Sequence, residues 1–242
     1  MSALGHYLED EGIATVAISL IRPQTENTKP PRALWVPFEL GRPFGPPSDP
    51  PFQRRVLLAA LRLLERASGP VIIEDFTEDD PCAQPDPDWH PPSVPAASVV
   101  GSAEALTAWL EAEILLLQGA HDRWFSRHGR TAIGLSALSM AECGRYVADW
   151  VRGRAPPSPR DGFSAPLMLR FAVDDVKAYY LEAGAGAGQP SSRQLGDWFW
   201  NETAAGAAIH ALRNACLASD DERLKLIAGN FMVPAARVRS VS

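Results

Sequence analysis

The feature that most constrains this chain is the stretch at residues 79–95, "DDPCAQPDPDWHPPSVP". Prolines stand at 81, 85, 87, 91, 92 and 95. Each fixes φ and lacks a backbone N–H, so no regular helix or central strand runs through such a segment. It reads as an extended linker or as an arm draped over a surface. The sequence on either side must therefore solve its own folding problem.

Before this break, apolar runs and turn signals alternate. "SALGHYLEDEG" reads as a short helix stopped by Gly12, and "ATVAISLI" as a strand of the buried kind. The polar loop "RPQTENTKPP" leads to a second strand, "RALWVPF". A helix is expected from about residue 51 to 67, and "VIIEDF" supplies a third short strand. This order predicts part of an open α/β sheet. Beyond residue 101 the pattern is helical, with helices expected near 102–118, 131–152, 166–183, 191–218 and 220–230. Long amphipathic segments with short loops predict an antiparallel bundle. The expected class is α+β: a partial α/β segment at 1–80, a proline-rich linker at 81–101 and a helical bundle at 102–242.

Composition narrows the function classes. The 242 residues are 46% hydrophobic and 21% charged, enough for a substantial core. The formal charge of −6, without a basic stripe, argues against nucleic acid as a partner. No apolar run reaches the roughly 18 residues of a membrane helix, and the acidic start lacks signal-peptide character. A cytoplasmic protein is expected. Cys82, Cys143 and Cys216 are widely spaced and odd in number, which offers neither a disulfide framework nor a CxxC pair. The glycine run at 184–188 follows a helix and lacks the Lys-Ser/Thr of a phosphate loop, so it reads as a turn.

Between the second strand and its helix lies "GRPFGPPSDPPFQ", with five prolines and two glycines. Asp49 is a good N-cap and Pro50 suits the first helical position. Ligands of open α/β sheets bind at such carboxyl-end loops, where helix N–H groups favour anions. A small acid could be held there by Arg42 or Arg54; the alternative is that the prolines only stiffen a loop that packs on its neighbour.

Residues 3–68 carry a family resemblance. Gly12-Ile13-Ala14-Thr15-Val16, Pro30-Pro31-Arg32-Ala33, Gly41, Asp49 and Gln53 stand in one order along the chain. In that order they resemble the closing segment of the glycine/sarcosine/betaine and D-proline reductase B-component family. The resemblance implies an α/β fold related to dithiol-linked reductive cleavage of small amino acids. Members of that family carry a redox selenocysteine or cysteine upstream of this segment, whereas here no cysteine occurs before Cys82. The thiolate is the nucleophile of such chemistry, so the resemblance extends to the scaffold and not to the reductase activity. A sheet of two or three strands with two helices cannot cover both its faces. A partner protein, or a homo-oligomer completing the sheet, is therefore expected.

In the helical part, each expected long helix carries one acid on or beside its apolar stripe. Glu113 falls among Leu106, Leu110 and Leu117, and Glu142 among Leu135, Leu138 and Tyr146. Asp174 lies among Leu167, Phe171, Ala178 and Leu181, and Glu202 aligns with Leu195, Phe199 and Ile209. Convergent carboxylates suit acid/base work, and His121 and His210, each eight residues after an acid, are the candidate metal ligands. Non-haem iron or another divalent metal would be the cofactor. The spacing is not the Glu-x-x-His of di-iron bundles, and Arg145, Arg170 and Arg213 could pair the acids instead. Trp198 and Tyr179 could line a ligand pocket or belong to the core. Together these features predict an enzyme or enzyme subunit acting on a small amino-acid-like or acidic metabolite. The alternatives are a non-catalytic accessory subunit or a small-molecule-binding protein.

Overall fold

The computed structural model describes residues 2–66, 69, 71–92 and 102–238. They form a mixed α+β protein, mostly helical, in two compact units, Met1–Gln84 and Pro85–Ser242.

The first unit runs α1 (Ser2–Asp10), β1 (Ala17–Ser19), α2 (Arg22–Thr28), β2 (Arg32–Trp35), α3 (Pro50–Arg62) and β3 (Ile72–Asp75). The three strands form a parallel sheet in the order β1-β2-β3, pairing Ile18 with Leu34 and Leu34 with Glu74. Parallel neighbours need a crossover, and α2 and α3 supply it. The segment before β2, expected as a loop, contains α2: Pro23 sits in its first turn, and Lys29, at φ 45°, closes it.

Period-two alternation places Leu34, Val36 and Phe38 on one face, where helical spacing brings Phe52, Val56, Ala60 and Leu63 against them. Three rings lock this core: Phe38, Phe52 and Phe76 have centroids 5.5 to 6.0 Å apart. The proline-rich loop is pinned to the helix that it precedes. Asp49 accepts a hydrogen bond from Phe52 N at 3.0 Å, and Gln53 Nε2 donates to Pro46 O at 2.9 Å. Gly45, at φ 83°, lies so close to the Phe52 ring that a Cβ there would come within 2.4 Å of it.

The second unit contains α4 (Ala103–His128), α5 (Met140–Val151), α6 (Ala165–Gly186), α7 (Ser192–Glu202), α8 (Ala204–Leu217) and α9 (Glu222–Ile227), which runs on through a π turn at Ala228–Met232. The central helix, α6, packs against α4, α5, α7 and α9. Leu110 and Leu117 of α4, Val147 of α5, Leu169 and Val176 of α6, and Ile209 and Leu212 of α8 are among the side chains of the core.

The described part of the proline-rich stretch belongs to this unit from residue 85 onward; residues 93–101 lie outside the described residues. Trp89 is 8% exposed, donates its indole N–H to Gly184 O at 3.2 Å and meets Trp198 edge-on. Gln194 binds the Asp86 backbone in both directions, each hydrogen bond 2.8 Å long.

Three helix boundaries differ from the sequence expectation. Gly119 does not end the first long helix, which continues to a left-handed stop at Gly129. Residues 131–139, periodic enough to predict the start of the next helix, form a loop that passes through positive φ at Gly134 and Ala137. Thr203 interrupts the long fourth segment and caps α8.

The packing of α6 on α4 is tightest at Gly186, where a Cβ would lie 2.3 Å from Ala120 O. Backbone on both sides leaves little room to yield. Gly186→Ala should therefore destabilise the protein by about 1–3 kcal/mol, the usual range for overpacking. At Gly119, within α4, only Arg123 comes within 4 Å of such a Cβ. Gly119→Ala should be neutral, or stabilising by up to about 1 kcal/mol, through helix propensity. Urea denaturation of both variants checks the contrast.

Candidate functional site

Among the described residues of the helical unit, three carboxylates are buried, and each accepts backbone N–H from another segment. Glu113 of α4 is fully buried and accepts from Ala204 N and Ala205 N at the start of α8 and from Tyr180 Oη at 3.0 Å. Its charge thus meets the positive end of a helix. Asp175 of α6, also fully buried, accepts from the N–H groups of Gly134, Leu135 and Ser136 at 2.9 to 3.0 Å and from the Ser136 hydroxyl. Glu182, two turns further along α6, accepts from Ala132 N and Thr131 Oγ1, both at 2.7 Å. Buried carboxylates satisfied in this way hold chain reversals in place.

The four acids expected to converge are held apart by separate partners. Glu113 points inward as expected, but its oxygens are committed to α8 and Tyr180. Glu142 is exposed and closes a capping box with Ser139 at the start of its own helix, which holds its carboxyl below the ordinary value. Asp174 turns outward to Lys177 at 2.7 Å, and its neighbour Asp175 takes the interior position. Glu202 is exposed at the end of α7. Among the described residues, no group of three or more His, Cys, Asp or Glu side chains could hold a metal ion.

His121 and His210 lie apart as well. His210, on α8, is half-buried with its ring 5.3 Å from Trp200. Trp198 is core, packed between Tyr180 and Trp89. Arg42 and Arg54 are exposed, and the α3 start that they were expected to serve is already capped by Asp49. The proline loop therefore packs on its own helix.

A different grouping emerges around His121. Because α4 continues through Gly119, His121 is carried onto the face that meets α6, and its Nε2 lies 2.9 Å from Glu182 Oε2. A carboxylate only accepts, so Nε2 carries the hydrogen, and in the neutral ring Nδ1 keeps the lone pair. The Tyr179 ring lies 4.8 Å from the imidazole, and its hydroxyl donates to Ile114 O at 2.7 Å. Burial, with Asp122 nearby, pushes the Tyr179 phenol up to about 12, so it stays protonated in neutral solution.

His121, Asp122, Gln118, Ile133, Met140 and Tyr179 line a cleft of about 320 Å³. A smaller hollow of about 100 Å³ adjoins it, lined by Glu111 and Arg145 and sharing Ile114, Leu115 and Ala141 with it. A histidine oriented by a buried carboxylate at the wall of an apolar cleft can accept and return a proton. Sequence reasoning missed Asp175 and Glu182, although their spacing of seven puts both on one face of α6.

Comparison with family models, with curated proteins and with solved structures gave no match for this chain. Among the described residues, no helix is long and apolar enough to cross a membrane.

Burial raises the Glu113 carboxyl above its ordinary value, partly offset by its hydrogen bonds to Ala204, Tyr180 and Ala205. A raised folded value means that its contribution to stability is full below the ordinary value of 4.5 and is lost as pH rises through the folded one. As pH rises above the ordinary carboxylate value of 4.5, Glu113→Gln should lose less stability than wild type, read from denaturation midpoints. Glu113→Ala leaves three buried donors without an acceptor and should cost about 3 kcal/mol. Glu142→Ala, at the exposed capping box, should cost less.

Proposed function

We propose that the helical unit binds a small polar, amino-acid-like metabolite in the cleft between α4, α5 and α6. There His121 transfers a proton and Glu182 positions it. The observation that carries this reading is the 2.9 Å contact between His121 Nε2 and Glu182, in a cleft whose other walls are mainly apolar. Glu182 fixes the ring and stabilises the imidazolium that forms when Nδ1 takes a proton. Asp122 and Gln118 supply the polar contacts that orient a ligand. The acid/base role thus rests on His121 in place of the four-acid set.

We read the helical unit as an antiparallel bundle, a reading supported by short connections such as that at 187–191 between α6 and α7. We read the first unit as a scaffold related to the closing segment of the reductase B component. Its parallel β-α-β-α-β order and the capped proline loop support that reading. Cys143 and Cys216 are free and buried, which supports a reducing, cytoplasmic setting.

The test is a thermal-shift screen of the full chain against amino acids, amino-acid amides, di- to tetrapeptides and small hydroxy and keto acids. At least one member should raise Tm by several degrees at saturating concentration. Turnover of that compound should fall by about 10²- to 10⁴-fold in His121→Gln. A screen without any stabilising member, or turnover unchanged in His121→Gln, would overturn the proposal.

A second reading, association through the first unit, is favoured by two features. One is the open edge of β1, where Ala17–Ser19, His6, Gln24 and Leu40 line a groove of about 730 Å³. The other is the exposed stripe of Leu57, Leu61 and Leu64 along the end of α3. Under this reading the protein sediments above its monomer mass of 26.2 kDa, and Leu57→Glu with Leu61→Glu returns it to monomer. A wild-type monomer at all concentrations would remove it.

A further inference from the structure

The cleft beside His121 and the hollow beside Arg145 form one trough along α4, because Ile114, Leu115 and Ala141 line both. The two ends of this trough differ in charge. At the His121 end the lining acid is Asp122, which is exposed and whose charge reaches the Tyr179 phenol. His121 beside it is bound to Glu182 and does not neutralise it. At the other end stand Arg145 and Glu111, and Glu111 is paired with Arg152 at 3.2 Å. Glu142, whose carboxyl Arg145 helps to hold below the ordinary value, lines neither cavity. Arg145 is therefore the cation that faces that end.

Between these charges the walls are Ile114, Leu115, Ile133 and Met140, with the Gln118 amide the polar group along the way. The length of the trough follows from helix geometry. Leu115 lines both cavities and Asp122 only the cleft beside His121; the seven residues of α-helix between them rise about 10 Å, and the Arg145 hollow extends the trough beyond that. A free amino acid is too short to place its amine and carboxylate at both ends. An extended chain of three or four residues, at about 3.3–3.6 Å each, is long enough.

Building on the reading that this cleft is the working site, we propose that its ligand is a short linear peptide of three or four residues with free termini. Its amino terminus lies at Asp122 and its carboxylate at Arg145. The Gln118 amide meets the peptide backbone, and apolar side chains lie against Leu115 and Met140. The amino-terminal residue is then the one next to His121.

Calorimetric titration of the full chain with the tripeptide Ala-Leu-Ala tests the assignment, alongside its N-acetylated and its C-amidated forms. The free peptide should bind saturably, and each blocking group should weaken binding by about tenfold, the loss of one charged contact of about 1.4 kcal/mol. Acetylation should make no difference in Asp122→Asn, and amidation none in Arg145→Gln. Both side chains are exposed, so the variants should fold, and far-UV circular dichroism verifies it. Equal binding of free and blocked peptides, or no saturable binding, overturns the assignment. If the peptides fail while a small metabolite binds and its turnover depends on His121, only the peptide assignment falls. If terminus-dependent peptide binding persists in His121→Gln and no turnover is found, the peptide assignment stands and proton transfer falls.

Discussion

Backbone amides delivered to buried carboxylates hold the helical unit together. Glu113 receives the first amides of α8, Asp175 receives three successive amides of the 134–136 turn, and Glu182 receives that of Ala132. These donors sit in the first turn of α8 or in the turn before α5, where no carbonyl of a regular ladder faces them. Buried without an acceptor, each would cost about 1–3 kcal/mol. The acids convert irregular chain into fixed chain, which lets α5 start late and α8 start abruptly. Two of the three acids lie on α6, so the central helix sets the path of the loop in front of α5.

Glu182 joins this framework to the proposed proton transfer at His121. The same carboxylate that holds Thr131 and Ala132 also meets the His121 imidazole. The ring's orientation is thus inherited from the fold and needs no dedicated support. The Tyr179 ring lies 4.8 Å from it, and Ile133 and Met140 are among the apolar residues that line its cleft. Low polarity around an oriented imidazole strengthens the effect of its carboxylate partner.

Much of the fold was legible from pattern alone. The apolar runs ending near Ile21 and Phe38 located β1 and β2, and the Leu106-Leu110-Leu117 stripe placed Glu113 inside. Helical phase failed where adjacent positions compete: Asp174 and Asp175 are equally acidic, and only packing decides which turns inward. The break at Thr203 has no glycine or proline to announce it: the Thr203 hydroxyl caps α8, and Glu113, ninety residues earlier, takes its first two amides. The 131–139 loop imitates a helix through Ile133, Ala137 and Met140, and what prevents one is the capture of its amides by Asp175. Conversely, the helix expected to end near 118 runs on through Gly119, because a lone mid-helix glycine costs only about 1 kcal/mol, which the surrounding α4 contacts outweigh. The site was missed for the same reason, since His121 reaches Glu182 only on a helix that runs past that glycine.

Trp89 shifts the natural cutting point of the chain. Its indole is seated against α6 and α7 even though its own segment has no helix or strand, and Gln194 ties down the adjacent Asp86. A fragment begun at the first turn of α4 would leave an aromatic-sized void beside Trp198 and leave the Gly184 carbonyl only its bond from Ala187 N. Dissection of the two halves belongs just before Pro85, where the ring travels with the helices that it fills.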